Sequence, residues 1–101
     1  MKQIDKIREL LGEEELLCQL AEEAAELAQA ALKYRRCITG KNPTPVTLEE
    51  ARANLIEEMS DVWLIADMVA GWQKHAQEVG LTVAEKTGRW VGRLEAEHHE
   101  N

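Results

Sequence analysis

Two stretches of the chain repeat one short acidic pattern: Glu22-Glu23-Ala24-Ala25-Glu26, and Glu57-Glu58-Met59-Ser60-Asp61. On a helix, Glu58 and Asp61 fall ~60° apart on one flank, on the same side as Ile65 and Trp72 rather than on an obvious solvent face. A carboxylate among packed apolar side chains is strongly disfavoured unless a basic partner, a proton or a metal ion compensates it. One Glu-x-x-Asp taken alone reads as an acid at a bundle edge, paired with Lys or Arg from a neighbouring helix. One acidic run on the earlier helix likewise reads as a solvated face with weak acid–base pairs. The repetition is what points to chemistry. Carboxylate oxygens without His or Cys are hard ligands suited to Mg²⁺ or Mn²⁺, and magnesium takes its remaining ligands from water and substrate phosphates. A polyphosphate is the natural substrate for such a set. The stripe Lys86, Arg89 and Arg93 could then bind phosphate oxygens and stabilise charge on a leaving pyrophosphate. Lys33 and Arg36, about two and three turns beyond Glu26, supply further cations.

The elements that must position these groups are helices. Ile4, Ile7, Leu10 and Leu11 recur at helical spacing, so Lys2–Leu11 reads as a short amphipathic helix that Gly12 stops or bends. A second helix runs from Glu13 to about Cys37, with Leu17, Leu20, Ala21, Ala24, Leu27, Ala28 and Ala31 as its apolar stripe. Ile38–Val46 is a loop: Gly40 offers a left-handed cap, and Pro43 and Pro45 forbid continuation. Gly40-Lys41 lacks the remaining residues of a phosphate loop. Thr47-Leu48-Glu49-Glu50 has capping-box spacing and opens a third helix, expected to be the longest and to reach about Val79. Between Val62 and Ala70 that helix is apolar nearly all round apart from Asp67, which implies neighbours on more than one side, another subunit among them. Gly80 is expected to end it, and Thr82-Val83-Ala84-Glu85 to open a fourth helix, whose basic stripe lies beside Val83, Trp90, Val91 and Leu94. Antiparallel packing of the two long helices would bring four carboxylates together.

The 101 residues suffice for one domain, residues 1–101, with a modest core that association would help, and residues 97–101 are expected to fray. Abundant Ala, Leu and Glu and the absence of Phe favour an all-α antiparallel helical bundle. Two long central helices, with shorter N- and C-terminal ones, would be completed by oligomerisation. A formal charge of −7 argues against binding a nucleic-acid polymer, while leaving nucleotides held through metal open. Cys18 and Cys37 form neither a disulfide framework nor a zinc site, which fits a reducing compartment. With no membrane-length apolar run and no signal-peptide core at the start, a soluble, cytoplasmic protein is expected.

The runs EEAAEL at Glu22–Leu27, EEMSDV at Glu57–Val62 and EKTGRWVGR at Glu85–Arg93 resemble, over most of the chain, the MazG-like all-α nucleoside triphosphate pyrophosphohydrolase family. The resemblance implies that Glu23, Glu26, Glu58 and Asp61 ligate Mg²⁺, with Mn²⁺ a possible substitute, while Glu22 or Glu57 positions or deprotonates water. It also implies hydrolysis of a nucleoside triphosphate to the monophosphate and pyrophosphate, in nucleotide-pool control or house-cleaning, by a homodimer or homotetramer. The alternative is a helical dimer that senses nucleotides or binds a protein without hydrolysis. A di-metal oxidase needs Glu-x-x-His on two helices, and only Glu95-x-x-His98 has that spacing. Trp63, Trp72 and Trp90 could stack on a base but read better as packing residues.

Overall fold

The computed structural model describes residues 2–71 and 75–100. The chain is all-helical, with α1 spanning Gln3–Thr39, α2 Leu48–Gly71 and α3 His75–Glu100. Two compact units divide it, one up to Val69 and the other from Ala70 onward.

Within the first unit α1 and α2 are antiparallel. Arg8 near the start of α1 donates from Nε to Met68 O near the end of α2 at 3.1 Å, while Cys37 near the end of α1 donates from Sγ to Val46 O, just before α2, at 3.8 Å. The core between them is small: Leu16 and Ala30 from α1, with Ala51, Ile65 and Met68 from α2. Leu16 and Ala30 stand about four turns apart on one face, as do Ala51 and Ile65, and the alanines leave room for close approach.

Local chemistry sets the boundaries. Gly12 has φ 82 and ψ 165, a non-helical conformation that divides α1 into a short leading piece and a long one. The Arg8 bond to Met68 O pins that leading piece to α2. Gly40, left-handed at φ 71, closes α1 by donating its N–H to Arg36 O at 2.8 Å. Thr47 caps α2 as its spacing predicts. The Glu50 N–H donates to Thr47 Oγ1, and the Thr47 hydroxyl donates to Glu50 Oε1, both at 3.1 Å.

The C-terminal half departs from the sequence expectation. α2 is described as far as Gly71, and residues 72–74, through which the sequence reading carried it toward Val79, lie outside the described residues. α3 runs unbroken through Gly80 and Thr82, so neither the stop at Gly80 nor a cap at Thr82 exists. Gly80 has no positive φ, and without a proline or a left-handed residue a glycine only weakens a helix, by ~1 kcal/mol relative to Ala. The surrounding Gln77, Glu78, Ala84, Glu85 and Lys86 carry the helix through. With 26 residues against the 24 described for α2, α3 is not a short terminal helix. Trp72 and Asn101 lie outside the described residues.

Candidate metal centre

The long piece of α1 carries Glu23 and Glu26 on successive turns, and α2 carries Glu58 and Asp61 the same way. The antiparallel packing brings Glu23, Glu26 and Glu58 together, so that one carboxylate oxygen from each lies within 4.8 Å of the others. Glu23, Glu58 and Asp61 are half-buried, whereas Glu26 is exposed and forms the open side of the group.

The electrostatics are those of a site short of positive charge. Burial raises the Glu23 pKa above its ordinary value, followed by repulsion from Glu26, a carboxyl–carboxyl hydrogen bond with Glu26, and the charges of Asp61 and Glu58. Burial also raises Glu58, followed by the charge of Glu26, a hydrogen bond with it, and the charges of Asp61 and Glu57. Glu23 Oε2 and Glu58 Oε2 are each buried without a hydrogen-bond partner. Buried carboxylate oxygens rarely go unmatched, because desolvation without a partner is costly. The ion pairs Arg8–Asp5 at 2.9 Å and Arg89–Glu85 at 3.5 Å do not touch these acids. A basic partner, the simplest compensation considered for Glu58 and Asp61, is not found among the described residues.

A divalent cation fits this donor set. The oxygens are hard, they come from two rigid helices, and two of them are orphaned. Glu23, Glu26 and Glu58 would hold it, with Asp61 beside them.

The other candidate residues occupy different surroundings. Glu22 and Glu57 are exposed next to the cluster. The Cys18 thiol donates to Glu22 Oε1 at 3.9 Å, and the Glu22 charge is the main cause that raises its pKa. Such a thiol is a poor nucleophile. Lys33 is exposed on α1, about two turns beyond Glu26. Arg36 lines a separate basic groove with Leu32, Arg35, Thr39, Lys41 and Asn42. Lys86, Arg89 and Arg93 share an open groove with Trp90 along α3. The basic groove that includes Arg35 and Lys41 was missed in the sequence, although its signal is there: no Asp or Glu occurs between Glu26 and Glu49. A second groove, between Ile4 and the face of α2 bearing Met59 and Trp63, left no single motif.

In comparisons with known proteins, no family model, curated protein or solved structure matches the chain. No helix among the described residues is long and apolar enough to cross a membrane.

Proposed function

We propose that the protein is a magnesium-dependent nucleoside triphosphate pyrophosphohydrolase of the MazG-like type, cleaving between the α and β phosphates to give the monophosphate and pyrophosphate. The observation that carries this reading is the convergence of Glu23, Glu26 and Glu58, with two buried oxygens lacking partners and no cation from the described residues to pair with them. Bound magnesium would supply the missing positive charge and polarise the phosphate oxygens. Glu26, at the open side, and the half-buried Asp61 complete the carboxylate set. Glu22 or Glu57, exposed beside it, orients a water and accepts its proton. Lys33, Arg36, Lys86, Arg89 and Arg93 are the proposed phosphate-binding groups, among which Lys33 follows the acids most closely along α1. The role would be nucleotide-pool control or house-cleaning in the cytoplasm, where the free Cys18 and Cys37 suit a reducing environment. The acting form would be a homodimer or homotetramer.

The test is pyrophosphate release from a panel of ribo- and deoxynucleoside triphosphates with Mg²⁺, repeated with EDTA and with Glu58→Gln. Metal-dependent release that vanishes in the variant is expected. A folded, magnesium-loaded protein silent across the panel would instead support the non-catalytic nucleotide-binding dimer.

A further inference from the structure

The last turns of α1 and the loop that follows carry positive charge with no acid near it in the sequence. Between Glu26 and Glu49 stand Lys33, Arg35, Arg36 and Lys41 and neither Asp nor Glu, in a chain of formal charge −7. Arg35, Arg36 and Lys41 line one groove of about 310 Å³ together with Leu32, Thr39 and Asn42. No described carboxylate forms an ion pair with any of the three cations. A helix C-terminus favours a cation in its last turn, which accounts for Arg36. That preference fades within the turn, and it leaves Arg35 and Lys41 to be explained, since like charges that share a groove repel one another.

The groove is built from two segments tied to each other. At ~100° per residue Leu32, Arg35, Arg36 and Thr39 fall within one band on α1. The loop is held against that band: the Gly40 N–H donates to Arg36 O at 2.8 Å, the Lys41 N–H to Thr39 Oγ1 at 3.3 Å, and the Cys37 thiol to Val46 O at 3.8 Å. Asn42 takes a left-handed φ of 49, which its short amide side chain tolerates. The Thr39 hydroxyl, accepting from Lys41, keeps its own proton to donate. Two guanidinium forks, an ammonium, a hydroxyl and an amide thus border one space, a donor set suited to phosphate oxygens.

This space is separate from the acidic centre. Glu23 and Ala30 fall roughly opposite the band on α1, and Arg35 lies about 13 Å of helical rise beyond Glu26. Arg36 therefore meets phosphate in a groove of its own. Charge decides the size of the ligand. A long polyanion would run onto the acidic remainder of the chain, which repels it, whereas a small ion with several charges engages all three cations at once. We propose that the groove is a metal-independent site for an oligophosphate, two or more linked phosphate groups, either free or as the tail of a nucleotide. The site goes beyond the proposed hydrolysis and needs no magnesium.

The test is calorimetric titration of inorganic phosphate, pyrophosphate and triphosphate into the full chain with EDTA present, so that no metal holds an anion at the acids. Saturable binding of triphosphate is expected, at least about tenfold tighter than that of single phosphate, because only the longer ion spans more than one cation. Arg35 and Lys41 are both exposed, on separate segments. Arg35→Gln and Lys41→Gln should each weaken triphosphate binding about fivefold, and together about twentyfold, with circular dichroism unchanged. Lys6→Gln, which removes the same charge at the other end of α1, and Glu58→Gln should leave it within about twofold. A nucleoside triphosphate in the same buffer separates the sources: tighter binding than triphosphate assigns the groove to a nucleotide, and equal or weaker binding to the free oligophosphate. Absence of saturable triphosphate binding overturns the inference. So does binding that survives Arg35→Gln combined with Lys41→Gln, or that falls as far with Lys6→Gln. Failure of the hydrolysis reading shows instead in the magnesium assay, which this titration leaves out.

Discussion

Glu58 and Asp61 project from α2 into partly buried surroundings shared with Glu23, whereas Ile56, Met59, Trp63 and Leu64 lie exposed on its other side. A helix packed on one side usually distributes its residues the opposite way, with apolar side chains inward and charges outward. Each face of α2 is therefore incomplete in its own manner. The inner one lacks positive charge, which a small cation can supply from solution. The outer one lacks apolar cover, which only another stretch of chain can supply. Near the start of α1 a charge is met within the chain: Asp5 receives Arg8, which also donates to Met68 O. The difference separates local folding requirements, met within the chain, from requirements that mark function.

The largest expected effect breaks the inner face. Glu58→Gln should lower pyrophosphate release by at least about a hundredfold while leaving helicity by circular dichroism unchanged, because a ligand is lost and no packing is. The same substitution should raise the melting temperature of the metal-free protein. It removes a repelling charge and gives the orphaned Glu23 Oε2 an amide donor. A lower melting temperature would mean that Glu58 is held by a structural partner.

Next comes the response of that face to pH. Glu23 and Glu58 have folded-state pKa values raised above 4.5, so the folded state holds their protons more tightly than the unfolded chain does. The stability this confers is fully present below the ordinary glutamate value and is lost as pH rises through the raised values. The metal-free melting temperature should therefore fall as pH climbs through that window, and saturating Mg²⁺ should restore it by several degrees. Thermal scans at stepped pH with and without EDTA check this; a metal-free protein that gains stability across the window contradicts it.

Smaller effects touch neither face of α2 and test the helix boundaries instead. Thr47→Ala removes the cap and should cost about 1 kcal/mol, lowering the melting temperature by about 4–8 °C. Thr82→Ala, with the same T-x-x-E spacing, should change stability by no more than about 0.5 kcal/mol, since Thr82 lies inside α3. Gly80→Ala should increase stability or helicity by up to about 1 kcal/mol, because an added Cβ would meet nothing within 4 Å. A loss there would restore Gly80 as a helix terminus.

The two Thr residues also show which parts of the fold were legible in the sequence. Thr47 follows Pro43 and Pro45, so its capping spacing stands where the chain has already left the helix, and its side chain caps α2. Thr82 has identical spacing but no preceding break, and helix-forming neighbours override Gly80. The bend at Gly12 and the cap at Gly40 were legible for the same reason as Thr47: glycine falls where the helical apolar pattern pauses. The convergence of Glu23, Glu26 and Glu58 could be read from two matching patterns on helices joined by a loop that allows antiparallel return, although the four carboxylates expected there included Asp61, which stands outside this group of three. The outer face could not. Asp67 stood out as an acid among apolar residues, but which side of α2 would face α1 is a tertiary fact, and only with Glu58 turned inward does Asp67 border an exposed groove.

The central claim, that the converged carboxylates hold a divalent cation, is tested most directly by calorimetric titration of Mg²⁺ and Mn²⁺ into metal-free protein in buffers of different ionisation enthalpy. Saturable binding is predicted, accompanied by proton release from the raised carboxyls and lost in Glu58→Gln. Absence of binding at neutral pH, or binding of equal strength in the variant, would contradict the account.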